Sequence, residues 1–187
     1  MKLIWADLET TGLNEKEDDI LEVAISIADF HDPFKALPLY HKVLYLPEDC
    51  QDTLDPFIIN MHTKNGLLVE CAKSRALIEQ VEEELLQIIP EASNKDERPI
   101  LAGSTISFDH GFIRQHMPRV AKRLSHRHYD VSTLKLFCQS LGMPKFVKGE
   151  AHRAKDDILE SIAHGAACLE WLKKNVGAKY NPNVHTH

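Results

Sequence analysis

The sequence predicts an α/β domain whose mixed sheet is flanked by helices. Three observations carry this expectation. Apolar, β-rich runs occupy the first 46 residues, helical spacing of apolar residues begins only after residue 73, and short strands then alternate with helices. Strands first and alternation later imply a sheet with both antiparallel and parallel neighbours.

Taken in order, residues 2–8 form an apolar run expected to be a buried strand. Residues 20–30 are β-rich and partly alternating, a second strand, and residues 40–46 read as a third. The link from Gly12 to Asp19 is short and polar, which suits a hairpin-like antiparallel connection. Residues 74–89 place Leu77, Val81, Leu85 and Ile88 at helical spacing, and Pro90 ends the helix. A polar loop over 91–98 leads to a short strand from Pro99 to Gly103 and a helix over 107–117. Residues 127–131 read as a strand, 132–141 as a helix and 153–174 as a long closing helix. Trp5 and Trp171 are expected in the core.

A chain of 187 residues fits one domain with a substantial core, expected over residues 1–178, with 179–187 as a short C-terminal tail. No stretch is apolar enough to span a membrane. The run Met1 to Asp7 reaches a carboxylate too soon for a secretory signal, so a cytoplasmic location is expected. Cys50, Cys71, Cys138 and Cys168 are scattered, with no Cys-x-x-Cys pair, which argues for reduced structural thiols over a zinc knuckle. The net charge of −6 argues against broad coating of nucleic acid. That average conceals an asymmetry. Residues 1–97 hold 8 Lys+Arg against 21 Asp+Glu, a balance of −13, and residues 98–187 hold 14 against 7, a balance of +7. An acidic half can supply metal ligands and a basic half phosphate contacts; the plainer reading is uneven surface charge.

Asp7 and Glu9 stand at i and i+2 of a strand and so share a face. Two carboxylates projecting together from an apolar strand need a cation to neutralise them. Thr10-Thr11-Gly12 adds hydroxyls, backbone donors and a flexible turn beside them. Asp109 falls in the first turn of a helix, where an acid also serves as a cap. Near the start of the last helix, His152 is followed by Asp156 and Asp157. On a regular helix His152 shares a face with Asp156; if it precedes the helix, either aspartate is open to it. Hard carboxylate oxygens select Mg²⁺ or Mn²⁺ over zinc, and four of them can hold two ions roughly 3.5–4 Å apart for phosphodiester cleavage. Histidine titrates near neutral pH, which suits proton removal from the attacking water.

At these residues the chain resembles the DEDDh exonucleases, whose fold is the ribonuclease-H-like α/β sheet. The resemblance implies that Asp7, Glu9, Asp109 and Asp157 hold two Mg²⁺ or Mn²⁺ ions. It also implies that His152 is the general base, four residues separating it from Asp157. Within that family the chain is most similar to the oligoribonuclease group, from Leu3 to about Trp171. The similarity lies in Leu3–Glu9, in Asp19–Ala24, in Met61-His62-Thr63-Lys64-Asn65-Gly66-Leu67-Leu68 and in Asp130-Val131-Ser132-Thr133-Leu134-Lys135. It implies a homodimer acting on short single-stranded RNA. Arg127 and Ser132 would then grip the 5′ end, Leu13 would meet a base, His62 would line the groove, and Thr10 would lie beside the nucleotide. Thr10 stands where the group usually carries Met, Phe57 where it carries a wedging Trp, and His126 where it carries Tyr. Phe57 can still stack on a base. These departures leave the cleavage chemistry intact and bear on substrate length.

The leading expectation is a 3′→5′ exoribonuclease releasing 5′-mononucleotides from short RNA. A 3′→5′ exonuclease on single-stranded DNA is the alternative that Thr10 favours. A noncatalytic nucleic-acid-binding domain is a third, opposed by the presence of all four carboxylates and the histidine. Arg114, Arg119, Lys122, Arg123 and Arg127, with Lys145, Lys148, Arg153 and Lys155, are read either as a solvated basic face or as a phosphate-holding rim. The final His185-Thr186-His187 is too short to read as a metal site.

Overall fold

The computed structural model describes residues 1–35, 40–146 and 152–175. The expected tail, His185, His187, Lys148, Glu150 and Ala151 lie outside them. In chain order the elements are β1 (Lys2–Thr10), β2 (Ile20–Asp29), β3 (Tyr40–Val43), α1 (Glu48–Gln51), α2 (Pro56–Lys64), α3 (Leu67–Lys73) and α4 (Ile78–Ile88). After a short 3₁₀ turn come β4 (Ile100–Gly103), α5 (Ser107–His116), α6 (Pro118–Arg123), β5 (His128–Asp130), α7 (Val131–Ser140) and α8 (Ala154–Asn175).

The strands form a mixed five-stranded sheet in the order β3-β2-β1-β4-β5. The first three strands pair antiparallel, and β4 and β5 pair parallel on the other side of β1. Alternation along β1 sorts its side chains between two cores. Ile4, Ala6 and Leu8 face a cluster with Val81, Leu85, Phe112, Ile113 and Val120 from α4, α5 and α6. Leu3 and Trp5 face the other side, with Ala154, Ile158 and Ile162 of α8. The Trp5 indole N–H donates to the Pro33 carbonyl at 2.8 Å, satisfying the one polar atom of a wholly buried ring. Trp171 is only half-buried on α8, so the expectation of two core tryptophans holds for Trp5 alone.

Three differences from the sequence expectation have local causes. The helix expected over 74–89 begins at Ile78, because Leu77 is extended (φ −107°, ψ 157°) and its N–H is met by the Gln80 side chain at 3.2 Å. Leu77 is accordingly exposed, and Ile89 completes the buried stripe in place of Ile88. The third strand ends at Val43, although the Leu44 N–H still reaches the Leu21 carbonyl. Helices α1, α2, α3 and α6 escaped the sequence reading. Proline occupies the first position of both α2 and α6, and the Asp55 side chain caps α2 by accepting from the Phe57 N–H.

Pairing between β1 and β4 ends at Trp5 and Ala102. Past that point β1 continues alone on its β4 side, and the sheet opens a cleft there. Gly103 sits at the split, where a Cβ would lie 2.7 Å from the Ala6 carbonyl and 2.8 Å from Ile106 Cδ1. Gly103→Ala is therefore expected to destabilise the fold by about 1–3 kcal/mol, because a sheet backbone has little room to move. Urea unfolding checks this; an unchanged midpoint would contradict it. Among the described residues no helix is long and apolar enough to cross a membrane.

Candidate active site

The site forms where β1 runs past β4. Asp7 and Glu9 project from the α8 side of β1, in phase with Leu3 and Trp5. The first turn of α8 presents Asp157 to them. One carboxylate oxygen from each of Asp7, Glu9 and Asp157 lies within 4.8 Å of the other two. Asp156 is exposed, so the two neighbouring aspartates part company on the helix. Asp109 comes from α5 and is buried. Its Oδ1 accepts from the Leu8 N–H at 2.9 Å, satisfying a donor that lies beyond the last β1–β4 pair. One lone-pair direction of Asp109 is thereby committed to the backbone, and this orients the rest of its carboxylate.

These carboxylates crowd one another. Burial, reinforced by the charges of Asp109, Glu9 and Asp157, pushes Asp7 up to about 10. Burial together with Asp157, Glu22 and Asp109 pushes Glu9 up to about 8, against the opposing charge of Arg153. Burial pushes Asp109 up to about 7 even though the Leu8 N–H favours its charged form. Such a group holds its negative charges at neutral pH only if a cation joins it. The donors are all hard oxygens, so they fit Mg²⁺ or Mn²⁺.

A cleft of about 490 Å³ runs from this point between α5, α7 and α8. Asp7, Asp109 and Asp157 line it, and so do Leu13, Ser132 and Lys135. Leu13 is 83% exposed, free to meet a ligand. The Ser132 hydroxyl lies 3.1 Å from that of Thr105. Among the described residues, Glu9, Thr10, Phe57, His62, Arg127 and His152 lie outside the lining of this cleft. Thr10 is buried, and its hydroxyl donates to the Gly12 carbonyl at 2.6 Å, closing the turn after β1. Phe57 is 68% exposed at the start of α2, and Arg127 is exposed just before β5. His62 is wholly buried with its Nε2 3.7 Å from Glu9 Oε2. Burial pushes the imidazole pKa down, against the charge of Glu22 and a backbone contact with Thr10.

His152 precedes α8, with a left-handed backbone (φ +45°). The residue after it, Arg153, is committed to two carboxylates of the protein. Its guanidinium grips Glu22, a wholly buried carboxylate near the start of β2, through Nε and Nη2, and reaches Glu70 on α3 through Nη1 and Nη2. Glu22 also accepts from the Ala154 N–H at 2.9 Å and lies 2.5 Å from His41 Nε2. Burial acts to raise the Glu22 carboxyl, but the bonds from Arg153, His41 and Ala154 overcome it and hold it below the usual range. Glu22 is the cross-strand partner of Glu9, so this clamp braces the strand beside the site. The sequence reading missed it, although an acid inside an apolar strand is a signal that a partner must exist.

Two more residues of the expected basic rim are committed elsewhere. Arg119 bonds Glu82 and Glu83, and Arg123 donates to the Leu86 and Ile89 carbonyls at the end of α4. The rim expected from Arg119, Arg123 and Arg153 is therefore corrected: these side chains hold the protein together.

A family model for exonucleases matches residues 4–164. The chain belongs to the exonuclease family. Among its relatives in that family, an oligoribonuclease of Corynebacterium diphtheriae is 36% identical over 165 residues, covering 86% of this chain and 78% of that protein. An oligoribonuclease of Colwellia psychrerythraea is 36% identical over the same length, covering 86% and 90%. The mitochondrial oligoribonuclease of Mus musculus is 31% identical over 182 residues, covering 95% and 74%. Among solved structures, E. coli exonuclease I in complex with a dT13 oligonucleotide matches with a TM-score of 0.66 at 14% identity. That match covers 95% of this chain and 42% of the other, and it carries the fold alone: the exonuclease chain described here has the ribonuclease-H-like sheet.

Proposed function

We propose that this member of the exonuclease family is a metal-dependent 3′→5′ exoribonuclease that hydrolyses short single-stranded RNA to 5′-mononucleotides. The observation that carries the reading is the convergence of Asp7, Glu9 and Asp157 on one cation-sized space, in a chain about one-third identical to oligoribonucleases.

In this reading Asp7, Glu9, Asp109 and Asp157 hold two Mg²⁺ or Mn²⁺ ions. Divalent cations bound there supply positive charge against the scissile phosphate and the leaving 3′-oxygen. His152 accepts the proton of the attacking water on an imidazole nitrogen. Leu13 and Phe57, both exposed, contact bases, and Ser132 and Arg127 contact the 5′ side of the strand. Thr10 and His62 act from beneath, shaping the turn after β1 and the space behind Glu9. The wholly buried His62, with Nε2 3.7 Å from Glu9 Oε2, supports a built acidic site over a solvated one.

The protein is read as a homodimer. Leu136, Phe137 and Leu141 present exposed apolar surface at the end of α7, which supports that state. Its cysteines are free, in keeping with a reducing cytoplasm.

The test is product length against time with Mn²⁺ or Mg²⁺ on a 5′-labelled RNA dinucleotide, a seven-nucleotide RNA and a matched DNA. The expected result is cleavage of the RNAs to mononucleotides with weak action on DNA. Preferred cleavage of DNA would replace this reading with the single-stranded DNA exonuclease. No cleavage of any substrate would leave only a binding domain.

A further inference from the structure

His152 holds a backbone conformation that side-chain-bearing residues rarely adopt (φ +45°), and such a residue persists only where its surroundings determine it. Two contacts do so from α2, α3 and β2. The Asn65 amide Nδ2 donates to the His152 carbonyl at 2.5 Å, across 87 residues of chain. Its other end is fixed as well: Asn65 Oδ1 accepts from the Leu67 N–H at 3.1 Å, which sets the amide's orientation. The next residue, Arg153, is anchored to Glu22 and Glu70, and its Nη1 approaches the Asn65 carbonyl at 3.4 Å. Asn65 caps the C-terminal end of α2, one turn beyond the His62 that backs Glu9. One helix thus touches both a carboxylate of the cluster and the segment that carries the imidazole.

We propose that Asn65 is a positioning residue for His152: its side-chain amide holds the His152 carbonyl and so sets the direction in which the imidazole leaves the backbone. This rests on the reading of His152 as the general base. Proton transfer is sensitive to sub-ångström placement of the base, so a carbonyl released from Asn65 lowers turnover without altering substrate binding.

Asn65→Asp is the informative variant. It keeps the oxygen that accepts from Leu67 N–H and replaces the donor facing His152 with a second acceptor. The purified full-length protein is assayed with Mn²⁺ on a short 5′-labelled RNA. The panel is wild type, Asn65→Asp, the uncharged Asn65→Ala, His152→Ala and the double variant Asn65→Asp/His152→Ala. Asn65→Asp and Asn65→Ala are expected to lower kcat by about 10–100-fold, the range for groups that orient a catalytic residue from behind. KM, Mn²⁺ affinity and melting temperature are expected to hold. In the His152→Ala background Asn65→Asp is expected to have no further effect, because it acts through the missing ring. The His152 imidazole proton resonances, assigned by their loss in His152→Ala, are expected to shift in Asn65→Asp without any substrate present.

An equal loss in both backgrounds, a large fall in melting temperature in both Asn65 variants, or unchanged kcat in both would overturn the proposal. Full activity of His152→Ala would instead overturn the assignment of the base, and the proposal with it. The two failures are thus told apart by the single variant His152→Ala.

Discussion

Asparagine in place of Asp7 or Asp157 is expected to slow RNA cleavage by about 10²–10³-fold, the scale for removing one electrostatic element of an active site. The same change is expected to leave the fold intact and, in chelator, to raise the melting temperature. The reason lies in the raised pKa values of Asp7 and Glu9. A carboxyl whose folded pKa lies above its unfolded value of about 4 binds its proton more tightly in the folded state. Its contribution to stability is complete below about pH 4 and is lost as pH rises through the folded values of about 8 and about 10. Metal-free protein should therefore melt lower at pH 8.5 than at pH 6, and the drop should shrink in Asp7→Asn. Mn²⁺ should stabilise wild type more at pH 8.5 than at pH 6, because protons no longer compete for the oxygens. Thermal melts with and without chelator check each sign. Full cleavage by either variant, or a chelated Asp7→Asn that melts well below wild type, would remove the assignment.

Arg153→Ala should be the most damaging substitution for stability outside the apolar core. Glu22 is 0% exposed and the Arg153 side chain only 17%, so deleting the guanidinium strands a buried charge. Breaking such a pair costs about 3–5 kcal/mol. The lower end is expected here, because His41 and the Ala154 N–H still reach Glu22. At roughly 2–4 °C per kcal/mol for a chain of this size, the melting temperature should fall by roughly 6–12 °C. Glu22→Gln should cost less, since the freed guanidinium keeps Glu70, which is half in water. The asymmetry between the two variants is the diagnostic. Equal losses would mean that the pair acts through packing alone.

The acidic cluster was legible because strand geometry fixes where i and i+2 point, which put Asp7 and Glu9 together before any coordinates. The sheet was legible for the same reason. Choosing Asp157 over Asp156 was not, on spacing alone, because the answer turns on where α8 begins, and α8 begins two residues after His152. Arg119 and Arg123 looked like phosphate contacts because their partners, Glu82 and the end of α4, lie more than 30 residues away in sequence. Asp109 likewise finds the Leu8 N–H 101 residues upstream. Helix α2 left local marks, Asp55-Pro56 at its start and Ile58 and His62 facing inward at i and i+4, but it was read only as a stretch resembling a family. Glu22 was the clearest missed signal, a charge flanked by Leu21 and Val23 in a strand with no polar face.

The order in which the cluster's members leave the ribosome has a protective consequence. Asp7 and Glu9 emerge first and Asp109 follows more than halfway along, but His152 and Asp157 come only with α8, which closes over β1 and β2. A nascent chain stalled before that helix lacks Asp157 and so has no complete acidic cluster, whatever else of the sheet has folded. On the proposed exoribonuclease reading RNA is both template and substrate for this chain, and the topology delays its chemistry until α8 has been synthesised.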